Sequence, residues 1–243
     1  MCTVTFLPRE NGNFVLTSNR DEAPKRSPQS LSTTFRSGQE LLFPKDTRAG
    51  GTWIAASSDN RLVCVLNGAF EKHAHQPPYR RSRGLMALDF FDYANPADFA
   101  REYHWEGIEP FTLIVWDRGQ LWEIRWDEKK LHQLELKADQ PHIWSSATLY
   151  PAPIQAKRRE WFAGWLKGRT DFPKDAVLDF HRNTGDGDPW NDLVMDRNGK
   201  VCTVSITCVE KTRKTFAMDY ADLVHDSASL AEIELSREVV AAS

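Results

Sequence analysis

The sequence predicts an α+β fold, a four-layer α/β/β/α sandwich in which two antiparallel sheets pack face to face beneath outer helices. Three observations carry the prediction. Short β-rich runs are joined by hairpin turn signals near the start and in the middle of the chain. Segments with a helical apolar period fall between groups of strands, so the helices cover sheets instead of crossing between parallel strands. No repeat, low-complexity stretch or linker divides the 243 residues, and 41% apolar content suffices for one large core. A single domain over 1–243 is expected, with 226–243 forming an acidic C-terminal helix or tail.

The elements follow in order. A first run at 3–7 meets the turn signal Asn11-Gly12 and returns as a second run at 14–17, an antiparallel hairpin. Residues 18–36 are polar and proline-bearing, so Asn19-Arg20-Asp21-Glu22 falls at the end of the second strand or in the loop after it. The hairpin returns this tetrapeptide close to residue 2. Gly50-Gly51 permits a turn with positive φ before a run at 52–56, a turn at 57–60 and a strand at 61–66 that ends at Asn67-Gly68. In 82–93, Leu85, Leu88 and Phe91 recur every three residues, as on a helix with one buried stripe, and Asn95-Pro96 opens another short helix. Runs at 111–116, 121–126 and 131–136 form a meander. Residues 152–167 read as a helix, with Trp161 and Trp165 one turn apart and assigned with Trp116, Trp122, Trp126 and Trp144 to the core. Lys157-Arg158-Arg159 is assigned to the solvent face of that helix. Runs at 201–209 and 215–220 alternate like paired strands, and 229–240 suits an exposed acidic helix.

A net charge of -3 provides no basic field for nucleic acid or an anionic membrane surface, so a small-molecule or protein partner is expected. Nowhere do about eighteen apolar residues run together, and the start has no basic region before an apolar stretch; a soluble cytoplasmic protein without stable membrane insertion is expected. The four cysteines contain no C-x-x-C pair. Cys64, Cys202 and Cys208 sit in strand-like runs as small buried hydrophobes. His73 and His75 lie two apart in a polar loop without a third ligand, and are read as solvated, with no metal.

Cys2 differs, because loss of Met1 would make it the first residue. It would then carry a thiol and a free α-amine of ordinary pKa about 7.7–8.0, able to accept the thiol proton. A nearby cation raises the thiolate fraction, and Arg20 is the candidate. Asp21, in the same segment, is the candidate to orient the amine. Asn67, closing its strand, is the candidate donor to a developing oxyanion. This chemistry requires neither a metal nor an organic cofactor.

The start MCTVTF, Asn19-Arg20-Asp21-Glu22, Ala49-Gly50-Gly51-Thr52-Trp53-Ile54, the strand ending at Asn67 and Ser82-Arg83-Gly84 together resemble the NRDE family. Its eukaryotic members are called transport and Golgi organisation 2 homologues. That family is similar to cysteine N-terminal-nucleophile hydrolases, penicillin V acylase and bile-salt hydrolase among them. The resemblance implies an N-terminal-nucleophile hydrolase-like sandwich with Cys2, Arg20, Asp21 and Asn67 as the catalytic set. It also implies an amidohydrolase or acyltransferase acting on a small acyl-amide or thioester. Asn19, Trp53 and Arg83 are the expected substrate contacts, with core filling for Trp53 and helix capping for Arg83 as their other readings. Family members are also associated with haem trafficking and Golgi organisation, so a haem- or lipid-binding protein using the same pocket is the alternative. One departure stands out: many members have a Ser-Asn segment followed by Leu and a Pro-Trp pair, where this chain has Ser145-Ser146-Ala147-Thr148-Leu149-Tyr150-Pro151.

Overall fold

The structure, a computed structural model, describes residues 3–26, 30–46 and 49–236. Cys2 and Met1 lie outside the described residues, as does 237–243.

Thirteen described strands form two antiparallel sheets. In the six-stranded sheet, β1 (Thr3–Pro8) and β2 (Phe14–Glu22) are the central hairpin. Beside β1 lies β10 (His142–Ser145), and beside β2 lie β11 (Cys202–Lys211), β12 (Thr215–Asp222) and β13 (Ser227–Glu234). The seven-stranded sheet is a sequential meander of β3 (Leu31–Arg36), β4 (Gln39–Pro44), β5 (Ile54–Ser57), β6 (Arg61–Asn67), β7 (Phe111–Asp117), β8 (Gln120–Trp126) and β9 (Leu131–Leu136). Helix α1 (Arg83–Asp89) lies on β5 and β6, and α2 (Pro96–Glu102) follows it. On the far side, α3 (Ala152–Leu166) lies on β10 and α4 (Lys174–Asn183) on β2 and β11. The layers therefore read α/β/β/α.

Side-chain alternation along strands builds two cores from one hairpin. Val4, Phe6, Phe14 and Leu16 point between the sheets into the main core with Leu62, Leu113 and Met218. Leu7 and Val15, one residue away, point outward and pack with Phe162, Phe172, Val177 and Phe180 beneath α3 and α4.

Several expectations change. The anticipated acidic helix is in fact β13 across its described part, pairing over eight residues with β12. Ser229, Ala231 and Ile233 recur at period two on the less exposed side, and pairing gives β12's backbone groups their partners. Strand β2 runs through Glu22, so the tetrapeptide is extended. Strands β3, β4 and β10 and helix α4 went unanticipated. Arg158, expected in solvent, is fully buried. His73, expected to be solvated, is largely covered and contacts Glu109 at 3.0 Å.

Glycine spacing fixes how α1 sits. A Cβ on Gly51 would lie 2.4 Å from the Gly84 carbonyl carbon and 2.6 Å from the Leu85 nitrogen, so the loop before β5 touches the first turn of α1 backbone to backbone. The positive φ belongs to Gly50, at 70°. Ser82 caps α1, its Oγ accepting from the Leu85 N–H at 3.2 Å.

Candidate active site

A cavity of about 300 Å³ opens where β2, the loop before β5, the end of β6 and the start of α1 converge. Arg20 enters it from β2 and is 4% exposed. Its Nη2 donates to Asp46 Oδ2 at 2.8 Å, and its guanidinium lies 4.3 Å from the Trp53 ring centroid. Asp46 also accepts from the Ala49 N–H at 3.0 Å. Trp53 is 4% exposed and stacks toward Tyr220, while its Nε1–H has no hydrogen-bond partner among the described residues. The indole therefore serves as wall and as core at once.

Asn67 reaches the cavity because β6 stops there. Its carbonyl accepts from Ser146 Oγ at 2.8 Å and from the Thr148 N–H at 3.4 Å. Gly68 then turns the chain at φ 83°, so close to Thr148 that a Cβ would meet its Oγ1 at 2.7 Å. Arg83 closes another side, held by Glu109 Oε2 at 2.9 Å and the Pro110 carbonyl at 3.1 Å. Glu22 lines the cavity beyond Arg20, on the same face of β2. Ion-paired and polar side chains line it together with the apolar surface of Trp53, Val65 and Ala49.

The intervening residues of β2 face away. Asn19 is fully buried, and its Nδ2 donates to the His181 carbonyl at 3.1 Å and the Leu193 carbonyl at 2.7 Å. With both amide protons so used, Oδ1 is the acceptor for His181 Nδ1–H at 2.5 Å, which leaves His181 Nε2 to accept from Thr5 Oγ1 at 2.7 Å. Burial, reinforced by the charge of Arg158, holds the His181 pKa down to about 3, so the ring is neutral. Asn19 thus ties β2 to α4, and the expected substrate contact there gives way to a structural one because an extended β2 turns it from the cavity. Asp21 shares this outer face. It is 2% exposed, with Oδ2 accepting from Tyr150 Oη at 2.7 Å and Oδ1 from Thr203 Oγ1 at 2.6 Å.

The cavity therefore gathers Arg20, Trp53, Asn67 and Arg83, while Asp21 approaches the strand from its other face. Cys2, covalently joined to Thr3, lies outside the described residues, and Thr3 pairs with Asn19 in the β1–β2 register. The three described cysteines are poor nucleophiles. Burial pushes the thiols of Cys64 and Cys208 up to about 12 and also raises that of Cys202, with Asp196 and Asp21 adding to the effect there. Sequence reasoning missed Asp46, Glu109 and Tyr150. A lone acid in an irregular loop carries no periodic signal; Tyr150 stood in the one segment that departs from the family pattern.

Residues 1–214 match the family model described as Transport and Golgi organisation 2. No curated protein matches the sequence. Among solved structures, the Caenorhabditis elegans N-acylethanolamine-hydrolyzing acid amidase ortholog is 14% identical at a TM-score of 0.57, over 85% of this chain and 92% of that one. A variant of the conjugated bile acid hydrolase from Clostridium perfringens is 10% identical at a TM-score of 0.49, over 98% of this chain and 100% of the other. The first of these likenesses shows a common N-terminal-nucleophile hydrolase-like fold. Among the described residues, no helix is long and apolar enough to cross a membrane.

Proposed function

We propose, for a chain that belongs to the Transport and Golgi organisation 2 family, that Cys2 becomes N-terminal on loss of Met1 and acts as the nucleophile of an amidohydrolase or acyltransferase. The observation that carries this reading is the β1–β2 register. Thr3, the residue bonded to Cys2, is opposite Asn19, and the next residue of β2 is Arg20, whose side chain lines the same cavity as Asn67. The inert thiols of Cys64, Cys202 and Cys208 leave Cys2 as the cysteine suited to the chemistry.

The α-amine takes the thiol proton, and the sulfur attacks the acyl carbon of a bound amide. Asn67 donates to the oxyanion, and the Arg20 guanidinium favours the thiolate, its charge moderated by Asp46. Asp21 orients the amine. As the tetrahedral species collapses, the C–N bond breaks, the amine leaves with the proton, and the acyl group remains as a thioester. Water, or a second amine for acyl transfer, then attacks the thioester and releases the thiol. A thioester substrate follows the same course with a thiol leaving. The cavity's size and ionic lining support a small polar acyl compound over haem or a lipid chain, both of which call for a larger apolar surface.

Intact mass and acylation by p-nitrophenyl butyrate test the reading. The mature protein is expected to lack Met1 and to gain one butyryl group, and Cys2→Ala is expected to react at least about 100-fold more slowly. Retention of Met1, equal labelling of both proteins, or saturable one-to-one haem binding without any acylation overturns it.

A further inference from the structure

We infer that Tyr150 is a positioning residue for the start of β1, setting the carboxylate of Asp21 against it with Arg158 as the clamp; the inference rests on the reading of Cys2 given above. Tyr150 is fully buried at the entry to α3, and its hydroxyl donates to Asp21 Oδ2 at 2.7 Å. Thr203 Oγ1 holds the other oxygen at 2.6 Å, so the carboxylate is gripped from both sides and cannot rotate. The tyrosine ring is itself fixed. The Arg158 guanidinium lies 3.6 Å from its centroid, and that of Arg197 lies 5.4 Å away on a separate loop.

Arg158 explains why this array concerns the chain start. It is fully buried on α3, and no carboxylate pairs with it among the described residues. A guanidinium so placed is costly unless most of its donors are used, and of its three nitrogens only Nε lacks a hydrogen-bond partner among the described residues. Its Nη2 donates to the Asn191 and Asp192 carbonyls at 2.9 and 2.8 Å, and its Nη1 donates to Thr3 Oγ1. Thr3 is the residue bonded to Cys2. One buried cation therefore holds the side chain of the residue next to the nucleophile and, through its π contact, the tyrosine that holds Asp21. The Tyr150-bearing segment also carries Ser146 and Thr148, whose groups hold the Asn67 carbonyl, so the nucleophile side and the oxyanion side are tied to one turn. Charged or titratable groups facing this array are Asp21 from β2, Cys202 from β11, Arg158 from α3, His181 from α4, and Asp196 and Arg197 from the 184–201 loop.

The test is Tyr150→Phe, which keeps the ring for Arg158 and removes only the hydroxyl. The butyrate ester should acylate it about ten- to a hundredfold more slowly than wild type. The ¹⁵N signal of the Cys2 α-amine in ¹⁵N-cysteine-labelled protein should move its titration midpoint by about half a pH unit or more. Asp21→Asn should show the same shift, and adding Tyr150→Phe to it should change nothing further, because both act through one contact. An unchanged midpoint and rate in Tyr150→Phe, in a mature chain that begins at Cys2, overturns this inference alone. Effects of the two substitutions that simply add also overturn it. A retained Met1 overturns the reading of Cys2 and this inference together, whereas a shifted midpoint without acylation of wild type overturns only the catalytic reading. If Tyr150→Phe fails to fold, Arg158→Lys is measured by the same midpoint, and an unmoved value there counts against the inference.

Discussion

Along β2, Arg20 and Glu22 face a cavity walled by ion pairs, whereas Asn19 and Asp21, each one residue away, face a layer where their own side-chain atoms are held by His181, Leu193, Tyr150 and Thr203. The two faces solve opposite problems. Toward the cavity, polar residues border space that a ligand can fill, as Arg20, Glu22 and Asn67 do. Toward the helices, burial is tolerable only with complete hydrogen bonding, so the same residue types become struts between layers. An asparagine is therefore not a site residue by virtue of its motif; the face it occupies decides.

Exchange of the two asparagines sharpens this contrast. Asn67→Ala removes the proposed oxyanion donor and should slow acylation about 10²–10³-fold, while the thermal midpoint stays within a degree or two of wild type. A large fall in the midpoint would mean that Asn67 is a strut as well. Asn19→Ala should do the reverse at somewhat lower cost. It orphans the His181 and Leu193 carbonyls and the His181 Nδ1–H, at about 1–3 kcal/mol each before water fills the gap, so denaturant unfolding should report a loss of about 3 kcal/mol. Residual folded protein should still acylate, and selective loss of acylation at full stability would put Asn19 back among the substrate contacts.

Between pH 7 and 5, the smallest effect is in pH. An unfolded histidine titrates near 6.5, and His181 in the fold near 3, so between these values the unfolded chain binds a proton that the native one refuses. Stability is thus whole above about pH 6.5 and declines on acidification by up to about 1.4 kcal/mol per pH unit, levelling off near 3. His181→Gln should flatten that part of the slope in urea titrations at pH 7, 6 and 5. Equal slopes in both proteins would show that His181 takes up its proton while buried.

The sandwich was legible because the evidence for it is local. The Asn11-Gly12 turn, the meander over 111–136 and the stripe of Leu85 and Leu88 each declare themselves within a few residues. Helix α4 and strands β3, β4 and β10 did not: β3 and β10 are short and only partly buried, with Phe35 mostly exposed, β4 is short and nearly all buried, and α4, whose buried Val177, Phe180 and His181 recur at a helical spacing, went unread in a polar stretch that starts at a proline. The burial of Arg158 could not be read from a basic triplet on a helix, because the acceptors that make it tolerable come from Thr3 and from residues 191 and 192.

By itself the sequence determined the family, the hairpin at the start of the chain and the residue types available for chemistry, all of which depend on neighbours in the chain. Only the tertiary structure decided which of them meet. Whether Asn19 faces a helix or a cavity hangs on whether β2 ends at Thr17 or at Glu22. Pairing with β11 across the six-stranded sheet settles that, through backbone hydrogen bonds to a strand nearly two hundred residues away.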